Sequence, residues 1–143
     1  MAQLTEFILN HPLIVGATAM ATVALVVNEL RIRSQSGLSV PPQEAVQLIN
    51  QGATVVDLRD GAQFAAGHIV DAINLQAADL KANPEARLKK KRAILLVCDN
   101  GSGSARCVAP LRQAGFEKAW ALGGGLAAWR GANLPLVAEK TRG

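Results

Sequence analysis

The stretch that decides the fold is residues 93–104, which read AILLVCDNGSGS. Residues 93–97 are uncharged and β-branched at two of five positions, which is typical of a central strand buried on both faces of a parallel sheet. The apolar run stops at Cys98, and the small residues after it allow a tight loop. Apolar spacing beyond the loop predicts a helix that ends at Gly115. The order strand, cysteine, loop, helix indicates an α/β fold.

Cys98 is the candidate catalytic nucleophile. A strand, a tight loop and a helix in this order direct backbone N–H groups and the positive end of a helix at the sulfur, and both favour thiolate over thiol. A buried structural cysteine is the alternative, but the Gly/Ser loop favours a reactive one. The loop residues predicted to bind substrate around the sulfur are Asp99, Asn100, Gly101, Ser102, Gly103 and Ser104.

The flanking chain predicts the rest of a parallel sheet. The expected elements are a helix opening at 40–44 and ending at 51–52, a strand at 54–58, a helical turn at 61–66, and strands at 72–75 and 118–122. Asp57 and Arg59 lie where the strand at 54–58 ends, in the crevice where α/β sheets hold their sites. A salt bridge that fastens the loop is the preferred interpretation of this pair, and a direct contact with substrate is the alternative.

Four separated motifs resemble those of single-domain rhodaneses, a sulfurtransferase family. They are VVDLR at 55–59 with Phe64, GHI at 67–69 and AINL at 72–75; the loop 98–103 with a helix closing at Gly115 and Phe116; LGGGL at 122–126 with Trp129; and LPL at 134–136. The likeness covers roughly residues 36–138. It implies a rhodanese-like open parallel sheet flanked by helices.

The resemblance also implies a reaction. Cys98 would attack the outer sulfur of a donor, hold that sulfur as a persulfide within the loop 98–104, and pass it to a thiol or cyanide acceptor without a cofactor. The donor would be a small molecule or a protein-bound sulfur. A non-catalytic interaction module of the same fold is the alternative, from a different functional class.

Two residues of the loop depart from the family pattern. Thiosulfate-handling members usually carry arginine or lysine at the sixth loop position, which is Gly103 here, and Asp99 adds a negative charge. Thiosulfate is therefore expected to be a poor donor. Arg106 could reach back to the sulfur from the first turn of the helix, which makes it a supporting residue together with Asp57 and Arg59.

The N-terminal stretch predicts a membrane anchor. Residues 12–27 are all apolar or threonine, and an extension to Phe7 gives a helix of roughly 31 Å, close to the hydrocarbon thickness of a bilayer. A cleaved signal peptide is disfavoured, because no lysine or arginine precedes the run. A buried core helix is the remaining alternative. Arg31 and Arg33 follow the span directly, so the positive-inside rule predicts the C-terminal domain in the cytoplasm.

The predicted protein is therefore single-pass in the inner (cytoplasmic) membrane, with the N-terminus outside. Its organisation is a membrane anchor at 1–33 with a span of about 7–27, a polar linker at 34–38, a rhodanese-like domain at 39–138 and a tail at 139–143. In the reducing cytoplasm both cysteines should remain thiols.

A basic cluster precedes the central strand. It comprises Arg87, Lys89, Lys90, Lys91 and Arg92, within a net charge of +4. A solvated loop is the simpler interpretation, but on a tethered domain the cluster could orient the protein on anionic headgroups. The expected partners are thus the lipid bilayer and, as a further candidate, a membrane protein. Nucleic acid is not expected, since no aromatic residues are interleaved with the basic ones.

Other conspicuous residues are given structural interpretations. His68 is expected in a structural turn rather than as a base for Cys98, and Asn74 is expected to fix the backbone. Trp120 and Trp129 are expected to be core or sealing residues. Phosphatase chemistry is disfavoured, because phosphatase relatives carry a seven-residue loop ending in arginine. The glycines at 123–125 lack the lysine and hydroxyl of a P-loop.

Cys107 and Pro110 leave alternatives open. Pro110 would disturb a helix that starts near Ser104, so this helix either kinks or begins late. A late start would bring Cys107 close to the helix N-terminus as a competing nucleophile, whereas a packed helix residue and a redox pair with Cys98 are the other interpretations. Two cysteines and two distant histidines lack the clustered spacing of a zinc site, so no metal is expected.

Overall fold

The structure, a computed structural model, describes residues 2–139. The predicted tail at 139–143 therefore lies outside the described residues except for Glu139. The elements are α1 (Ala2–Asn10), α2 (Pro12–Ser36), β1 (Ser39–Val40), α3 (Pro42–Asn50), β2 (Thr54–Asp57), α4 (Gly61–Ala66), β3 (Ile73–Asn74), α5 (Ala77–Ala82), a 3₁₀ turn (Pro84–Ala86), β4 (Ile94–Val97), α6 (Ser102–Gln113), β5 (Ala119–Leu122) and α7 (Gly125–Gly131). The chain divides into two compact units between Gln35 and Ser36.

The N-terminal unit consists of α1 and α2. Within residues 2–139, the helix segment long and apolar enough to cross a membrane is Pro12–Arg31, with a mean hydropathy of 1.8. It lies further along the chain than the predicted span of about 7–27, because Pro12 has no N–H and begins a separate helix. The hydroxyls of Thr18 and Thr22 each donate to the carbonyl four residues earlier at 2.8 Å, so neither is left unpaired on the apolar helix.

Most of the predicted polar linker at 34–38 is helical. Helix α2 continues through Ser36, since no glycine or proline interrupts it before Gly37. Leu38 is half-buried and packs against the core of the C-terminal unit. Only Gly37 remains between the end of α2 and the first core residue.

The C-terminal unit is built on a parallel sheet. In the described residues five strands pair in the order β1-β5-β4-β2-β3, and every pairing is parallel. All four residues of β4 are buried, which confirms the strand predicted at the centre of the sheet. Full burial of side chains of this size stabilises the fold by about 1.5–3 kcal/mol each.

Helices cover both faces of the sheet. On one face α6 contributes Val108 and Leu111 to a core that also contains Phe116. On the other face α3 contributes Ala45, and α7 contributes Leu126 and Trp129. Trp129 is buried in this core and Trp120 is half-buried against it, as expected of core or sealing residues.

Helix α6 begins at Ser102, so the late start, one of the two alternatives offered for Pro110, is wrong. Pro110 lies within the helix and removes the N–H that would bond to the Arg106 carbonyl. Arg106 and Pro110 are both exposed, so this carbonyl lies on the solvent side, where water can replace the missing donor. Gly115 follows the helix with φ +101°, as expected of its terminating residue.

Candidate active site

Backbone amides converge on the sulfur of Cys98. The side chain is half-buried at the end of β4, where the Gly101 N–H donates to Sγ at 3.1 Å and the Ser104 N–H at 3.4 Å. The thiol itself donates to the Ser104 hydroxyl oxygen at 3.3 Å. These amides belong to the loop and the first turn of α6, so a negative charge on the sulfur faces donors and the positive end of a helix. The geometry fits an anionic nucleophile.

Ser104 and Gly101 fix the shape of the loop. Ser104 is fully buried, and its hydroxyl donates to the Gly101 carbonyl at 3.1 Å. When the thiol loses its proton, this hydroxyl can rotate to donate to the sulfur instead. Gly101 has φ +89°, and a Cβ there would lie 2.9 Å from the Gly124 nitrogen, so the position requires glycine. Asn100 Oδ1 accepts from the Ser102 N–H at 3.1 Å, which closes the exposed side of the turn.

Helix α7 holds the loop from its other side. The Leu126 N–H donates to the Cys98 carbonyl at 2.9 Å, and the Ala127 N–H donates to the Asp99 carbonyl at 3.1 Å. A Cβ on Gly125 would contact the Cys98 carbonyl and lie 2.6 Å from the Asp99 carbonyl carbon. The glycines at 123–125 belong to one of the motifs that resemble rhodaneses, but the sequence does not reveal that they pack on the cysteine loop.

Substituting alanine for Gly125 is expected to destabilise the C-terminal unit by at least about 2 kcal/mol, because the residue has φ +60° and no room for a methyl group. Gly131→Ala is the matched control, since a Cβ there meets nothing within 4 Å and the residue ends the same helix. Urea unfolding followed by tryptophan fluorescence measures both. Equal stability of the two variants would contradict the tight contact between turn and loop.

Asp57 and Arg59 form a buried ion pair. Asp57 is 1% exposed and Arg59 6%. The guanidinium donates to the carboxylate through Nη2 at 2.8 Å and Nε at 3.1 Å, and the Arg59 backbone N–H adds a bond of 2.9 Å. Nη2 also donates to the Gly67 carbonyl at 2.6 Å. The pair therefore fastens the end of β2 to the turn after α4, in agreement with the salt-bridge interpretation.

Arg59 also reaches the cysteine loop through Asp99. Its Nη1 lies 4.0 Å from Asp99 Oδ1, and Gln63 Nε2 donates to Asp99 Oδ2 at 3.4 Å. The Asp99 side chain is 59% exposed. The negative charge that Asp99 adds to the loop is thus partly offset by Arg59. Sequence reasoning missed Gln63, because it lies 36 residues from Asp99 and carries no motif of its own.

The remaining candidates separate into structural and unassigned residues. The His68 ring stacks on Phe64, with centroids 3.9 Å apart, and its Nδ1–H donates to the Phe64 carbonyl at 2.7 Å. Asn74 donates to the carbonyls of Asp57 and Arg59. Both contacts agree with the structural roles expected for these residues. Arg106 is exposed and has no hydrogen bond or ion pair within residues 2–139, so its role stays a prediction.

Cys107 is a packed helix residue. It is 4% exposed on α6, and burial raises the pKa of its thiol, against a smaller lowering by the Lys81 ammonium. Both cysteines are free. A raised pKa keeps Cys107 protonated at neutral pH, which makes it a poor nucleophile beside Cys98. No group of three or more metal-binding side chains occurs in the part of the chain that the structure describes.

Comparisons with known proteins match most of the C-terminal unit. The family model described as "Rhodanese-like domain" matches residues 41–132. The chain is 35% identical over 144 residues to the uncharacterized protein YibN of Escherichia coli K12. This match covers 98% of this chain and 100% of that protein. It is 37% identical over 100 residues to the thiosulfate sulfurtransferase GlpE of Pseudomonas fluorescens SBW25, covering 64% of this chain and 83% of that protein. The crystal structure of a rhodanese-related protein from Thermoplasma volcanium superposes with a TM-score of 0.65 at 26% identity, covering 71% of this chain and 98% of that chain.

Proposed function

The chain belongs to the rhodanese-like domain family, and from this membership we propose that it is a membrane-anchored sulfurtransferase that carries sulfane sulfur on Cys98. The observation that carries the proposal is the convergence of the Gly101 and Ser104 amides on Sγ. Relatives 33–39% identical to this chain are named thiosulfate sulfurtransferases, which supports a donor that contains a sulfane sulfur.

The proposed reaction has two steps. The Cys98 thiolate attacks the outer sulfur of the donor, the donor's sulfur–sulfur bond breaks, and its electron pair leaves with the rest of the donor, as sulfite if the donor is thiosulfate. The new Cys98 persulfide keeps the negative charge on its terminal sulfur, within reach of the loop amides. A thiolate or cyanide acceptor then attacks that terminal sulfur and releases the Cys98 thiolate. No cofactor takes part.

We assign the anchor to the helix Pro12–Arg31. Its composition and length support a single span, and Arg31 and Arg33 at its C-terminal end support a cytoplasmic position for the C-terminal unit. The similarity to YibN extends over 98% of this chain, so it includes this helix. The proposed location is the inner membrane, with the N-terminus outside.

Mass spectrometry of the full chain in detergent tests the proposed chemistry. The chain is incubated with thiosulfate or with a low-molecular-weight persulfide, and the peptides that contain Cys98 and Cys107 are compared. We expect one added sulfur on Cys98 and none on Cys107, and we expect cyanide to remove it as thiocyanate. Absence of added sulfur with every donor would favour the alternative, an interaction module at the membrane, which the exposed Asp99 carboxylate and the lack of a cation at Gly103 support.

A basic side chain at position 103 is expected to improve the reaction with thiosulfate. A Cβ on Gly103 would lie 3.8 Å from Cys98 Sγ, an ordinary contact, so a longer side chain there starts beside the sulfur. Gly103→Lys should raise kcat/KM for thiosulfate by up to about fivefold, the range of an exposed ion pair. Gly103→Gln, of similar size without the charge, is the control, and equal rates for the two variants would contradict an electrostatic origin of donor choice.

A further inference from the structure

A basic groove lies at the amino-terminal edge of the sheet, opposite the edge that carries Cys98. It has a volume of about 460 Å³. Its lining includes Lys91 and Arg92, which precede β4, Lys118, which precedes β5, and the half-buried Trp120. We call this set of four residues the basic groove. The reaction proposed above does not use the basic groove.

The cations of the basic groove have no countercharge in the described part of the chain. Among residues 2–139, Lys91, Arg92 and Lys118 have no ion pair within 4.0 Å. The neighbouring Lys90, in contrast, pairs with Glu85 and lies 5.9 Å above the Phe116 ring. Three uncompensated positive charges around one concave surface favour an anionic ligand.

The backbone holds these cations close together. The Ile94 N–H donates to the Lys118 carbonyl at 2.8 Å, and the Thr54 N–H donates to the Ala93 carbonyl at 2.8 Å. The residues before β4 and β5 therefore lie on neighbouring strands, about 4.8 Å apart. The indole of Trp120 adds an amphipathic surface of the kind that is enriched at membrane interfaces.

The chain enters the C-terminal unit at this same edge. The Ala121 N–H donates to the Leu38 carbonyl at 2.8 Å. Arg112 donates to the Ala119 carbonyl at 2.8 Å and to the Gly37 carbonyl at 3.5 Å. The first residues of the unit are thus bonded to β5 next to Lys118 and Trp120 of the basic groove.

The tether between this edge and the proposed span is short. After Arg31 only residues 32–36 of α2 precede Gly37, and five helical residues rise about 8 Å, close to the Debye length at physiological ionic strength. Strands of four residues extend about 13 Å, so Cys98 lies that much further along the sheet.

We propose that the basic groove binds the phosphate-bearing headgroups of anionic lipids in the membrane that holds the anchor. The inference rests on the anchoring assigned under the proposed function. Headgroup binding holds the amino-terminal edge of the sheet at the bilayer, and Cys98 at the opposite edge then faces the aqueous phase, where a soluble donor or acceptor can reach it.

Lysine acetylation read by mass spectrometry tests this binding without reference to sulfur transfer. The full chain is reconstituted in nanodiscs of phosphatidylcholine, with or without phosphatidylglycerol, and treated with an amine-reactive acetylating reagent. We expect Lys91 and Lys118 to react about fivefold more slowly in the anionic discs, the factor for a cation held at an anionic surface, and high salt to remove this protection. Lys81 is the internal control, because it lies outside the basic groove and should react equally in both discs.

Charge variants make the test specific to the basic groove. In Arg92→Gln the protection of Lys91 and Lys118 should weaken, whereas in Arg87→Gln, which removes one nearby charge outside the groove, it should persist. Equal acetylation in both discs, equal protection of Lys81, or protection by inorganic phosphate in neutral discs would overturn the proposal. The anchor is tested separately, by washing neutral vesicles that carry the chain with alkaline carbonate. Release of the chain would show that it has no membrane span, independently of the acetylation result.

Discussion

Cys98→Ser is expected to lower the turnover of sulfane sulfur by at least about 10³-fold, the scale of loss when an enzyme loses its nucleophile. The reason is chemical, because a serine hydroxyl at this position is not ionised at neutral pH and cannot form a persulfide. The fold should persist, since the Gly101 and Ser104 amides can donate to the serine oxygen that replaces Sγ. Thiocyanate formation from donor and cyanide measures the rate.

The matched control for this substitution is Cys107→Ala. Cys107 is buried on α6 and its thiol has a raised pKa, so it should contribute packing rather than chemistry. We expect the rate to stay within about threefold of the unmodified chain, with a stability loss of about 1 kcal/mol for the small cavity. A large loss of rate in the control, or an active Cys98→Ser chain, would indicate that Cys107 rather than Cys98 is the nucleophile.

Removal of the Arg59 guanidinium is expected to cost about 3–5 kcal/mol of unfolding free energy. In Arg59→Met the Asp57 carboxylate, 1% exposed, loses its countercharge and two side-chain donors. The Gly67 carbonyl loses a donor as well. A double variant, Asp57→Leu with Arg59→Met, should be less destabilised than Arg59→Met alone, because it leaves no unpaired buried charge.

The exposed pair of Lys90 and Glu85 provides the control for this measurement. Their side chains are 49% and 63% exposed, so Lys90→Met should cost at most about 1 kcal/mol. Urea unfolding followed by tryptophan fluorescence is suitable, since both tryptophans lie in the C-terminal unit. If Arg59→Met is no more destabilised than Lys90→Met, the buried pair does not stabilise the fold as its geometry implies.

Local patterns in the sequence were sufficient to predict the central strand of the sheet and the loop that follows it. The uncharged run at 94–97 and the loop after Cys98 are read from neighbouring residues alone, and the structure has this strand and loop where they were expected. The motifs that resemble rhodaneses added the family. The expected structural roles of His68 and Asn74 also agree with their contacts.

Contacts between distant residues could not be read in the same way. The Gly125 turn contacts the Cys98 loop, and Gln63 contacts Asp99, 36 residues further along the chain. Neither contact is indicated by a periodicity or a spacing in the sequence. The end of α2 was missed for a different reason. The polar residues at 34–36 suggest a linker, yet a polar sequence without glycine or proline can equally continue a helix.

Ala127 supports the cysteine loop through its backbone N–H, which donates to the Asp99 carbonyl, and its side chain takes no part in this bond. Ala127 is exposed on the first turn of α7, where helices ordinarily accept proline, because the N–H at that position has no partner inside the helix. Here that N–H is engaged with the loop. Position 127 should therefore tolerate almost any side chain during evolution and yet exclude the imino acid, a pattern that would mark it as part of the sulfur site although it contributes no side-chain atom to it.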